Sequence, residues 1–150
     1  YEIYMGDWSS DVCSSDPVRV FAQPVTPASG RLPFPDSVAA QIEFEGGSCG
    51  QLIYSAEGDP RWPKEVCTVF AAGLAAEIEN FQRLTVCVGR RRKSSSFQGK
   101  GHAEQMKAWA AFLAGTQPQP VRFEDARQSM RLTFAVLESI RARRAVSLPS

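Results

Sequence analysis

The chain has 150 residues, 43% of them hydrophobic and 22% charged, with a net charge of +1 at pH 7. That length supports one domain with its own core, and the composition is ordinary for a globular protein. The near-zero charge argues against nucleic-acid and membrane-surface partners, and no apolar run approaches the roughly 18 residues that a membrane span needs.

Residues 1–16 stand apart. Residues 6–16 are polar and serine-rich, with no helical or strand period, which suits a disordered leader. Asp7 through Asp16 also match the translation of a sequencing-library adapter, GAC TGG AGT TCA GAC GTG TGC TCT TCC GAT. The expectation is a disordered or artefactual leader over 1–16, with the native sequence entering at Pro17, already inside a longer protein.

Residues 18–25 alternate as a strand that ends near Pro24. Residues 26–35 carry three prolines and a glycine and read as a loop. The segment 36–57 organises the rest. Val38, Ala40, Ile42 and Phe44 alternate with Ala39, Gln41, Glu43 and Glu45, and Gly46-Gly47 separates this run from a second one carrying Cys49, Leu52 and Tyr54. Period-two alternation on both sides of a Gly-Gly turn predicts a hairpin with one apolar and one polar face. Further strands are expected over 64–72, 75–80 and 83–88, a turn over 89–93, and a weak strand over 94–98.

A helical regime follows. Met106, Trp109, Ala110 and Leu113 form one stripe within 102–114, and Gly115 is a fitting stop. Residues 123–143 repeat the pattern through Phe123, Ala126, Met130, Phe134, Leu137 and Ile140 or Arg141, with basic residues suiting the helix end. A short strand closes the chain over 145–148. Strands, then two helices, then one strand predict an α+β fold: an open, mostly antiparallel sheet with both helices on one face. Met106, Trp109, Phe134 and Leu137 are expected to cover that face. Gln41, Glu43, Ile53 and Ser55 are expected on the other.

Motifs that would carry chemistry are scarce. There is no Gly-rich loop between a strand and a helix, no HExxH and no nucleophile elbow. Cys13, Cys49, Cys67 and Cys87 form no CxxC pair, which favours reduced thiols in a cytoplasmic protein over a metal site. His102 is the only histidine, which excludes any site needing two. Arg90 to Lys93 form a basic run that could hold phosphate or nucleic acid, but it lies in a tight turn of a neutral chain without interleaved aromatics, so a solvated turn that discourages edge-to-edge pairing is the favoured reading. Lys100 and His102 at a helix start are the most informative polar pair, because free backbone N–H groups there favour anions or polar ligand oxygens, although the residues alone favour a plain surface histidine in a first turn.

Several stretches together resemble one family: Asp36-Ser-Val-Ala-Ala-Gln-Ile-Glu-Phe-Glu-Gly-Gly-Ser-x-Gly, Tyr54-Ser-Ala-x-Gly, Pro63-Lys-Glu-x-x-x-Val-Phe, Glu79-Asn-Phe, Lys100-Gly-His-x-Glu, Thr133-Phe-Ala-Val-Leu-Glu-Ser-Ile and Ala145-Val. In their order and spacing they look like the C-terminal domain of Gfo/Idh/MocA oxidoreductases, which include glucose–fructose oxidoreductase and inositol 2-dehydrogenase. The closest type is the bi-domain one, in which this module ends a chain that begins with a zinc-alcohol-dehydrogenase-like region. The resemblance covers 17–150. It implies a substrate-binding and oligomerisation domain of a truncated NAD(P)-dependent enzyme acting on a sugar or cyclitol. The Rossmann domain, with the cofactor loop and the catalytic lysine, would be the missing partner. No catalytic or cofactor-binding residue is expected here, and NAD(P) belongs to the full-length enzyme. Lys100 and His102 are the implied substrate contacts, since His102 falls where many relatives open a cleft-facing helix with tyrosine. The open sheet face is the implied homo-oligomer surface. The rival expectation is a stand-alone interaction domain docking through that same face.

Overall fold

The computed structural model describes residues 16–25, 36–56 and 58–148. Nearly all of the expected leader, and the expected loop 26–35, lie outside the described residues. In chain order the elements are β1 (Pro17–Pro24), β2 (Val38–Phe44), β3 (Cys49–Tyr54), β4 (Val66–Ala71), β5 (Leu74–Glu79), β6 (Arg83–Val88), β7 (Arg91–Ser96), α1 (His102–Leu113), α2 (Phe123–Ala142) and β8 (Val146–Ser147). The α+β class and the open antiparallel sheets are as expected. The strands, however, divide between two four-stranded sheets, β3-β2-β1-β8 and β4-β5-β6-β7. They belong to two compact units, Tyr1–Gly58 with Val121–Ser150, and Asp59–Pro120.

In the first unit, alternation places Val20 and Ala22 of β1 on the same face as Ala40 and Ile42 of β2. The register pairs them directly, Val20 with Ile42 and Ala22 with Ala40. These four and Leu148 form the buried core, and Leu132, Ala135, Val136 and Ile140 of α2 pack against it. Two alanines opposite one another leave room for the helix to come close. Ser139 shows how close: its Oγ accepts a hydrogen bond from the Ala22 N–H at 2.9 Å. Strand β8 reaches only Arg19 and Val20, so beyond it the serine serves the Ala22 N–H in place of a strand.

The β2–β3 hairpin turns as its glycines predict. Gly47 N–H bonds to Phe44 O at 2.9 Å, and Gly47 takes φ 79. This is a type I turn closed by a left-handed residue, a common three-residue hairpin loop. The Phe44 ring lies over Gly50, where an added Cβ would meet it at 3.4 Å. On α2, Glu124 and Asp125 lie in the first turn and Arg141 in the last, matching the helix dipole.

Of the stripe expected to bury α2, Ile140 does pack against the core, but the large residues before it do not. Phe134 is 62% exposed, and Phe123 and Met130 are also exposed. The helix is apolar on two sides, and the side with smaller and branched residues faces the sheet.

The second unit is a four-strand meander with one polar and one apolar face. The register puts Thr68, Glu77, Thr85 and Ser94 on one side, and Val69, Ala76, Val86 and Lys93 on the other. None of its described residues is buried. Strand β7 begins at Arg91, so the expected turn over 89–93 shrinks to Gly89-Arg90 and most of the basic run lies in the strand. In α1, Trp109 and Phe112 meet edge-to-face at 5.7 Å, while Met106, expected to cover the sheet, is exposed. Gly115, at φ 73, ends this helix as expected. Among the described residues, no helix is long and apolar enough to cross a membrane.

Candidate functional site

The start of α1 is assembled from three segments of the second unit. Asn80, in the β5–β6 turn, takes φ 51, a left-handed conformation that asparagine tolerates better than most residues. Its Oδ1 accepts from the Lys64 N–H at 2.8 Å and the Glu65 N–H at 3.3 Å, and its own N–H donates to Glu65 O at 2.7 Å. The start of β4 is thereby tied to the turn. Glu65 in turn accepts from Lys100 Nζ at 2.7 Å through Oε2. Both side chains are partly exposed, so this ion pair adds at most about 1 kcal/mol of stability. Its consequence is local: the ammonium of Lys100 is held beside a carboxylate.

Gly99 and Gly101 flank Lys100, with φ 80 and φ 81. Gly101 is the N-cap of α1 and supplies no side-chain cap. The first-turn N–H groups are thus left to solvent or to a ligand. His102 opens the helix with an exposed side chain, and Glu104 sits in the first turn. Lys100 and His102 are therefore neighbours at an uncapped helix start, with Lys100 already engaged by Glu65. The arrangement offers hydrogen-bond donors of almost balanced charge, suited to hydroxyl groups. Sequence reading missed Glu65 and Asn80 as members of this cluster. The available signal was an asparagine following a β-run, a residue that often takes a left-handed turn. Among the described residues, no group of three or more His, Cys, Asp or Glu side chains is placed to hold a metal ion.

A second surface lies on the first sheet, opposite its core. Gln41 pairs with Phe21 and Gln51, and Ile53 with Ala39. Together with Gln23 they line a shallow depression of about 270 Å³. Ile53 is 79% exposed. Gln41, Glu43 and Ile53 lie on this free face, where the alternation puts them. Glu43 is bound in a fork by Arg19, at 2.6 and 2.9 Å, and that hydrogen bonding holds its carboxyl below the usual carboxylate range.

No family model matches the chain, and no curated protein matches it. Solved structures do. An aldose–aldose oxidoreductase from Caulobacter crescentus, complexed with glycerol, superposes with a TM-score of 0.72 at 18% identity, over 93% of this chain and 44% of its own. A UDP-N-acetylglucosamine 3-dehydrogenase from Acidithiobacillus ferrooxidans gives 0.73 at 18%, over 86% and 42%. An oxidoreductase from Agrobacterium radiobacter, in complex with NAD+, L-tartaric acid and magnesium, gives 0.74 at 14%, over 96% and 48%. The chain shares its fold with one part of each of these larger structures. The resemblance read from the residue stretches is thus borne out in three dimensions. The shared fold covers 86–96% of this chain, yet the chain spans less than half the length of each of these structures.

Proposed function

We propose that the chain is the C-terminal, substrate-binding and oligomerisation domain of an NAD(P)-dependent Gfo/Idh/MocA-type oxidoreductase, acting on a sugar or cyclitol in the cytoplasm. The observation that carries this is the lopsided coverage: a near-complete match to one part of larger oxidoreductases. Two of the matching structures are named for aldose and UDP-sugar chemistry, which supports a polyhydroxylated substrate. Lys100 and His102 would donate to its hydroxyl groups. The missing Rossmann domain would supply the hydride chemistry.

The residues present do not fit a dinucleotide. Such a cofactor sits on a Gly-rich turn between a parallel strand and a helix. Every strand pair in both sheets is antiparallel. Titrating the chain with NADH while following energy transfer from its tryptophans is therefore expected to give a flat response. Saturable micromolar binding would sink that expectation.

The deciding experiment for the function is to read the genomic frame upstream of the Pro17 codon. An in-frame Gly-rich strand–turn–helix unit, and NAD(P)-dependent sugar oxidation by the joined protein, would support the reading. A genuine start at Met5 would establish the rival, a stand-alone interaction domain. The free face around Ile53 favours an oligomer under either reading, because a two-fold axis can lay one such face on another. Light scattering should show self-association that Ile53→Lys abolishes. Dimers persisting unchanged in the variant, or a wild type monomeric at high concentration, would remove this face as the interface.

A further inference from the structure

One end of the second sheet carries two tight turns, and its charge is uncompensated. Ala72-Gly73 joins β4 to β5, and Gly89-Arg90 joins β6 to β7; all four residues take positive φ, from 45 to 83. Beside these turns is a hollow of about 410 Å³ whose lining includes Leu74, Val88, Arg90, Arg91 and Arg92 and no acidic residue. The register sets Arg91 opposite Val88, on the face that also carries Leu74, and Arg92 opposite Cys87, on the other face. Four of the unit's five carboxylates are engaged away from it, Glu79 with Arg83, Glu77 with Thr68, Glu65 with Lys100 and Asp59 with Arg61, and the fifth, Glu104, lies in the first turn of α1. None of the ion pairs found among the described residues includes Arg90, Arg91, Arg92 or Lys93.

Backbone geometry supplies a second, independent observation. Arg90 is held at φ 63, in the second central position of a two-residue hairpin turn where glycine is preferred. An L-residue with a long side chain is strained there, and strain of this kind tends to collect where a side chain has a task. Guanidinium groups are planar, permanently charged and matched to phosphate oxygens in pairs. Leu74 and Val88 give the hollow an apolar part, suited to the uncharged body of the same ligand.

We propose that this hollow binds the phosphate end of a small phosphorylated ligand, a phosphate ester or diphosphate, through Arg90 in the turn and Arg91 on the face shared with Leu74 and Val88. The site is independent of the oxidoreductase reading and stands or falls alone.

The test is a titration of the 150-residue chain with inorganic pyrophosphate, followed by amide shifts of residues 89–93 at constant ionic strength. Saturable shifts are expected. Arg91→Gln should weaken the affinity about tenfold, the loss of one charge-assisted contact. Arg90→Gly should weaken it similarly without lowering the melting temperature, because glycine takes positive φ freely. With orthophosphate, binding should fall as pH drops below about 6, where the phosphate takes up its second proton while arginine stays charged. Four outcomes would overturn the proposal: shifts that do not saturate, affinities unchanged in both variants, an equal response to chloride, or binding of a single-stranded oligonucleotide without binding of pyrophosphate.

Discussion

Ile42→Ala is expected to destabilise the first unit by about 2–4 kcal/mol, the usual range for emptying a buried aliphatic site. Ile53→Ala, in the next strand of the same hairpin, is expected to change monomer stability by less than about 0.5 kcal/mol. The two isoleucines differ in which way the pleat turns them. Ile42 lies in the core opposite Val20, while Ile53 stands on the free face. The core has few members, so a cavity there has little around it that could collapse to fill it. The described tryptophans, Trp62 and Trp109, belong to the other unit and would not report this. Native-state hydrogen exchange at the β1 and β2 amides would. Equal effects of the two substitutions would show that the sheet is not packed on the face assigned to it.

Ser139→Ala removes one oxygen and should cost about 1–3 kcal/mol, the price of leaving a buried donor unpaired. Ser139 is fully buried; its Oγ accepts from Ala22 N–H and donates to Arg144 O at 2.7 Å. It therefore closes two main-chain groups at once, one on the sheet and one just past the helix end, where Arg143 takes φ 53. Exchange of the Ala22 amide should accelerate more than that of Val20, which β8 still pairs. A loss below about 0.5 kcal/mol, with Ala22 exchange unchanged, would mean that water takes over the serine's role.

The β2–β3 hairpin was legible almost residue by residue, because period-two alternation and a Gly-Gly turn are local signals. So were both helices, whose observed ends fall within a residue of those expected. What the sequence hid was nonlocal. Helical arithmetic finds the stripe through Phe123, Met130 and Phe134, since large apolar residues dominate any such count. Packing against a sheet with paired alanines instead rewards Ala135, Val136 and Ser139, and a serine at the contact carries no apolar signal at all. The division into two sheets has no local signature either, because each strand alternates in the same way whichever neighbour it finds. At the candidate site, Lys100 and His102 were visible as a polar pair beside glycines. Glu65 was not, because it is brought to Lys100 by a turn from 35 residues away. The basic run was visible, but its boundaries were not: the type I′ turn needs only Gly89 and Arg90, which leaves the other cations on a strand.

The first unit is interrupted in the chain, and this has a consequence for how it is made. β1, β2 and β3 are complete by Tyr54, but the helix that covers them and the strand that flanks β1 come only with Phe123–Ala142 and Val146–Ser147. Between them stands a meander whose hairpins are all local. Loop closure over so long a separation is slower than hairpin formation. During synthesis, at about 5–20 residues per second, the half-built sheet would wait roughly 5–20 s for its cover while the meander had time to form. The nascent hairpin would carry both of its faces bare through that interval, making it the segment on which chaperone capture or premature pairing between neighbouring nascent chains would act.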